Sequence, residues 1–125
     1  MKYTFNASEK LKSKIVISHL FEEGKSVSAY PLKMIYLPTP HADGTLIKAG
    51  VSVSKRRFKN ATDRNRIKRL LREAYRLNKP TFFNNISEPY ALMILYIGKD
   101  GTSFEQVDKK MKQLLTKFTQ TITLD

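Results

Sequence analysis

The chain has 125 residues, with 23 Lys or Arg against 11 Asp or Glu, for a formal net charge of +12. That length suits one domain with a real core, and the charge calls for a polyanionic partner, nucleic acid or an anionic membrane surface. The absence of cysteine excludes disulfides and thiolate metal sites.

No apolar run approaches the ~18 residues that span a bilayer; the longest, Tyr90–Ile97, is strand-sized. The start, MKYTFNASEK, lacks the apolar centre of a signal peptide. A cytoplasmic protein with no membrane partner is expected.

In chain order, Ser8–Glu23 reads as a first helix with Leu11, Ile15, Leu20 and Phe21 apolar. Asn6 and Glu9 resemble a capping pair at its start, and Gly24 is its expected C′ stop. Pro31–Leu37 reads as a strand bounded by the Pro38-Thr39-Pro40 turn, and His41–Gly44 as a polar loop. Along that strand Leu32, Met34 and Tyr36 share one face, Lys33 and Ile35 the other. Leu46–Ser54 is a second strand, with Ile47, Ala49, Val51 and Val53 on one face.

Lys55–Arg76 follows, KRRFKNATDRNRIKRLLREAYR, in which 10 of 22 residues are Lys or Arg. Asn60 is the expected N-cap, with Asp63 near the positive end of the helix dipole. At about 100° per residue, Ile67, Leu70, Leu71 and Ala74 form one stripe with Tyr75 at its edge. Asn65, Arg69, Arg72 and Arg76 fall on the opposite face, flanked by Arg66 and Lys68. Almost no acid lies on that face to relieve its self-repulsion through i,i+4 pairs. With Lys55, Arg56 and Arg57 it makes a contiguous basic surface, so nucleic-acid binding is favoured over a passively solvated face.

Asn78 and Pro80 are expected to stop this helix near Leu77. Thr81–Glu88 reads as irregular chain packed down by Phe82, Phe83 and Ile86. Tyr90–Ile97 reads as a central strand covered on both sides. Thr102 and Glu105 form an expected capping box for a last helix. Its buried stripe is Phe104, Val107, Met111, Leu114, Leu115 and Phe118.

Catalytic signatures are missing. The chain has no cysteine nucleophile, no Gly-rich phosphate loop before a helix, no HExxH and no paired carboxylates. His19 and His41 are isolated and read as surface residues. Asp63 and Glu73 lie ~15 Å apart along the helix axis, too far to share a metal ion, though either could bind one held by RNA phosphates. The expectation is a binding subunit, with no catalytic residue and no metal ligand of its own.

The string Arg64-Asn65-Arg66-Ile67-Lys68-Arg69-Leu70-Leu71-Arg72-Glu73, preceded by Gly50-Val51-Ser52-Val53-Ser54-Lys55-Arg56, resembles the signature of the bacterial ribonuclease P protein component. The order of elements resembles that family too, including a first helix ending Phe-x-x-Gly at Phe21–Gly24. The resemblance implies one RNA-binding domain over residues 1–125, with the family fold over about 4–120. Its fold would be an α+β or α/β two-layer sandwich, with a central mixed sheet of about four strands and three helices. The βαβ crossover through the basic helix would be left-handed, against the general rule.

Functionally, the resemblance implies a subunit of a ribonucleoprotein that removes the 5′ leader from precursor tRNA. The active site and its Mg2+ would belong to the RNA subunit, with no organic cofactor and no obligate protein partner. Contacts to the catalytic RNA are expected at Lys55, Arg56, Arg57, Asn60, Arg64, Asn65, Arg66, Lys68, Arg69 and Arg72, with Arg64 alternatively bracing the loop. A cleft between the first helix and the sheet would hold the leader through Ile17, Phe21, Lys33 and Ile35. Tyr36 competes with Lys33 and Ile35 for that cleft, and Phe21 suits a core position equally well. Composition alone leaves open a structural RNA-binding protein. A DNA-binding regulator would need a second short helix where strand Leu46–Ser54 stands.

Overall fold

Four strands, β1 (Lys25–Ala29), β2 (Leu32–Pro38), β3 (Ile47–Val53) and β4 (Tyr90–Tyr96), form one sheet in the order β1-β2-β4-β3. β2 pairs antiparallel with β1 and β4, whereas β3 and β4 are parallel. Parallel neighbours need a long crossover, supplied by α2 (Ala61–Phe82). Among the described residues, two further α-helices, α1 (Lys14–Glu23) and α3 (Phe104–Leu124), pack on the sheet. The computed structural model describes residues 5–124; the ends of the expected 1–125 domain, 1–4 and 125, lie outside the described residues.

Alternation along the strands divides the interior in two. Leu32, Met34 and Tyr36 of β2, with Leu92, Ile94 and Tyr96 of β4, face α2 and α3. There they meet Ile67, Leu71, Ala74 and Tyr75, and Val107, Met111, Leu114, Leu115 and Phe118. Removing each large side chain of this cluster from water stabilises by about 1.5–3 kcal/mol, so this helical layer carries most of the burial. On the opposite face Ala91 and Met93 pack with Leu11 and Leu20. α1 packs there against β2 and β4.

The expected apolar stripes of α2 and α3 face the core, with Leu70 and Phe104 only partly buried, and β4 is covered on both sides as expected. Several boundaries differ. The first helix does not begin at Ser8. Asn6 and Glu9 do pair, Asn6 N–H donating to Glu9 Oε2 at 2.9 Å, but around a short 3-10 turn, Ala7–Glu9. Lys10–Ser13 is then drawn out beside β3, with Leu11 N–H donating to Ala49 O at 3.0 Å. Ser13 caps α1 through Val16 N–H. Consequently Ile15 is 72% exposed, off the stripe assigned to it.

Gly24 ends α1 in an extended conformation, φ −68° and ψ 151°, and not in the left-handed one. Its value is close approach: a Cβ there would meet Leu20 O and lie 2.6 Å from Ile35 Cγ2. α2 passes through Asn78 and Pro80 to Phe82. Pro80 removes one helical hydrogen bond. The last turn is nevertheless held, because buried Asn78 donates to Ala74 O and to Asp108 Oδ1 of α3. Phe82 and Phe83 also pack on the main core. At α3 the cap is Ser103, whose Oγ accepts from Gln106 N–H, so Thr102 does not serve as expected.

Candidate nucleic-acid interface

The basic surface begins in the turn after β3. Ser54 Oγ accepts from Arg56 N–H, and Phe58 N–H donates to Ser54 O, which folds the loop back on itself. Phe58 anchors it against Tyr96, with ring centroids 5.9 Å apart. Arg64 Nη1 reaches back from α2 to Phe58 O at 2.7 Å and Lys59 O at 2.9 Å. Arg57 Nη1 donates to Ile97 O, tying this loop to the β4–α3 loop. Asn60 caps α2, its Oδ1 accepting from Thr62 N–H at 2.8 Å.

The ten expected RNA-subunit residues therefore separate by what they hold. Arg57, Asn60 and Arg64 bond within the protein and fix the loop. Lys55, Arg56, Asn65, Arg66 and Arg69 are exposed, and Lys68 is half-buried. Arg76 is drawn aside by Glu73, and that guanidinium holds the Glu73 carboxyl below its ordinary range. Arg72 is exposed at another opening, between α2 and α1, where it lines a hollow of about 280 Å³ with Lys10, Lys12, Ile17, Gly50 and Met93.

That hollow opens on the side of the sheet that carries α1. Register places Ser26, Ile35, Met93 and Gly50 in one row across the four strands. Ser28, Lys33, Leu95 and Ser52 form the next row. Ile35 and Leu95 pack on the α1 cluster and Lys33 is half-buried. Ile17 lines the hollow, and Phe21, one turn on, is 51% exposed. The core alternative for Phe21 is thereby excluded. Tyr36 lies on the other face, 3% exposed, with its ring edge-on to Phe118 at 5.1 Å. It belongs to the core, and Lys33 and Ile35 stand on the other face of β2, the one that carries α1.

The structure bears out the bracing alternative for Arg64, and three features of this surface escape residue patterns: the internal bond of Arg57, the strand β1, and the lysines at the hollow. A signal for the last exists. Lys10 and Lys12, two apart, have the spacing that puts side chains on one side of an extended segment. Among the described residues, no three His, Asp or Glu side chains converge.

A family model for Ribonuclease P matches residues 5–119. The chain belongs to the ribonuclease P protein family. A ribonuclease P protein component from Porphyromonas gingivalis is 35% identical over 118 residues, covering 92% of this chain and 86% of the relative. One from Clostridioides difficile is 32% identical over 114 residues, covering 90% and 94%. The RNase P protein of Thermotoga maritima superposes with a TM-score of 0.69 at 24% identity, covering 87% of this chain and 96% of that one. A Staphylococcus aureus RNase P protein gives 0.67 at 19%, covering 86% and 93%; both likenesses concern the fold. Membership carries the family's role: protein component of a ribonucleoprotein endoribonuclease that matures the tRNA 5′ end, with the catalytic centre in the RNA.

Proposed function

We propose that the chain divides this role between two joined surfaces. The exposed Asn65, Arg66 and Arg69 of α2, with Lys55, Arg56 and Lys68, dock on the catalytic RNA. Arg57, Asn60 and Arg64 contribute to that docking by holding the loop. Planar guanidinium forks suit phosphate, and Asn adds an acceptor. The groove under α1 takes the single-stranded leader of precursor tRNA, with Phe21 as a stacking surface, Ile17 and Ile35 as apolar walls and Lys33 as a charge for the backbone.

The observation that carries this reading is Arg72. It stands on the RNA-docking helix and also lines the hollow beside Ile17, so one RNA-bound helix aligns the groove with the RNA active site. Mg2+ in this scheme is held by RNA phosphates, and the work is done in the cytoplasm. Among the described residues, no helix is long and apolar enough to cross a membrane.

The test compares the reconstituted holoenzyme's affinity for precursor tRNA and for mature tRNA. Phe21→Ala should lose about 1–3 kcal/mol on the precursor alone, the range of one base–aromatic stack. Lys33→Ala should act in the same direction. Equal losses on both RNAs would remove the groove from leader binding.

A further inference from the structure

A second recess lies at the loop end of the sheet, beneath the start of α3. It encloses about 370 Å³ between Tyr30 and Pro31 of the β1–β2 turn, the Gly98–Gly101 loop, and Gln106, Lys109 and Lys110 of α3. It shares no lining residue with the hollow beside Ile17. Its volume falls within the range of small-ligand sites, roughly 300–1,000 Å³.

The recess is built in advance of any ligand. Tyr96 Oη donates to Asp100 O at 2.7 Å, and Ile97 N–H donates to Pro31 O at 2.8 Å, so loop and turn are held together. Gly98 permits the close approach: a Cβ there would lie 2.8 Å from the Tyr96 ring and 3.0 Å from Pro31 Cβ. Arg57, bonded to Ile97 O, ties the same loop to the basic turn.

Two properties of the lining identify an occupant. Tyr30 is 61% exposed, a large aromatic face left open at the mouth. Lys99, Lys109 and Lys110 also line it, against Asp100 as the acidic residue of the lining. The basic edge continues: Lys110 and Lys117 lie two turns apart along α3, and Lys117 reaches Ser28 O on β1. An aromatic plane with lysines beside it fits one chemistry, a base with its phosphate. An acidic peptide would use the lysines and leave the ring idle.

We propose that this recess binds one unpaired nucleotide of RNA, its base stacked on Tyr30 and its phosphate held by Lys109 and Lys110. This rests on the chain's RNA-binding role but not on the leader groove. That nucleotide belongs either to the precursor or to the catalytic RNA, and the experiment separates the two.

The full chain, isotopically labelled, is titrated with a single-stranded hexa-adenylate. The amides of Tyr30, Gly98, Gly101 and Lys110 should shift, and should still shift in the Phe21→Ala chain. Tyr30→Ala should weaken binding read at those amides at least about fivefold, the low end of one base–aromatic stack, and Tyr30→Phe should restore it. Shifts confined to the groove and to Lys55–Arg72 would overturn the proposal, as would equal shifts with a glutamate hexapeptide. In the holoenzyme, Tyr30→Ala should lower affinity for precursor tRNA if the nucleotide is the precursor's. It should lower affinity for the catalytic RNA if it is the RNA subunit's. Loss of neither, while Phe21→Ala still weakens precursor binding, would dismiss the recess and leave the groove standing.

Discussion

Arg64 donates from Nη1 to the carbonyl oxygen of Phe58 at 2.7 Å, across six residues of chain, and shares the same nitrogen with Lys59 O. Phe58 is itself packed on the core beside Tyr96. The first arginine of the Arg-Asn-Arg string is thus a brace between a half-buried anchor and the basic helix. A brace and a phosphate contact answer salt differently. Each phosphate neutralised adds about one to the slope of log affinity against log salt. Arg64→Ala should therefore weaken binding to the catalytic RNA while leaving that slope unchanged. Arg66→Ala and Arg69→Ala should each cost about 1–3 kcal/mol and lower the slope by roughly one. Filter binding over a salt series distinguishes them, and a lowered slope for Arg64→Ala would make it a direct contact.

Tyr36 and Phe21 are opposite cases that sequence alone leaves interchangeable. Tyr36 is in contact range of Tyr90 and Phe118 at the centre of the core, whereas Phe21 is half in solvent. Tyr36→Ala should cost about 3–5 kcal/mol of folding stability, as for other buried aromatics. Phe21→Ala should stay within about 0.5 kcal/mol, as exposed sites do. Denaturant titration of the two variants reads this directly.

Gly24→Ala should destabilise by about 1–3 kcal/mol, the usual cost of overpacking, since its new methyl would be pressed between Leu20 O and Ile35. Because Ile35 is also a groove wall, the same variant should weaken precursor binding more than mature tRNA binding. Native stability in Gly24→Ala would show that α1 can lift from β2 without strain.

Asp108 gives a pH dependence. Burial pushes its carboxyl up, but hydrogen bonds from Lys112 and Asn78 outweigh that and hold it below the ordinary carboxylate range. The folded form therefore favours the ionised group. Its stabilisation is present above the unfolded-chain value near 4 and is lost as pH falls through the lower folded value. Asp108→Asn should be less stable than the native chain at neutral pH, with the gap closing in acid below about pH 4. A gap that stays constant from pH 7 into acid would show that Asp108 acts through packing alone.

Much of this was legible in residue patterns, and the exceptions have physical causes. The stripe Ile67, Leu71, Ala74 and Tyr75 could be drawn from periodicity because burial on one face imposes it. Pro80 signalled a stop that tertiary contacts override: Asn78 grips Asp108, and Phe82 and Phe83 bury what lies beyond. β1 gave no strand signal, since Val27 and Ala29 are its only apolar residues and its other face is open. The break at Lys10–Ser13 arises from pairing with Ala49, nearly forty residues along the chain, which no local pattern reports. Among the candidate site residues, exposure of Arg66 and Arg69 followed from the helical wheel. The cap at Asn60 and the bracing alternative for Arg64 were also legible, whereas the tie of Arg57 to Ile97 O was not, because it depends on a carbonyl forty residues away.

The most direct test of the two-surface account is leader cleavage by a cognate catalytic RNA at low magnesium, with and without the chain. The account predicts that the chain restores cleavage, and that Arg66→Ala with Arg69→Ala abolishes the restoration unless protein is raised in excess. Tight binding to the catalytic RNA with cleavage unchanged would contradict it.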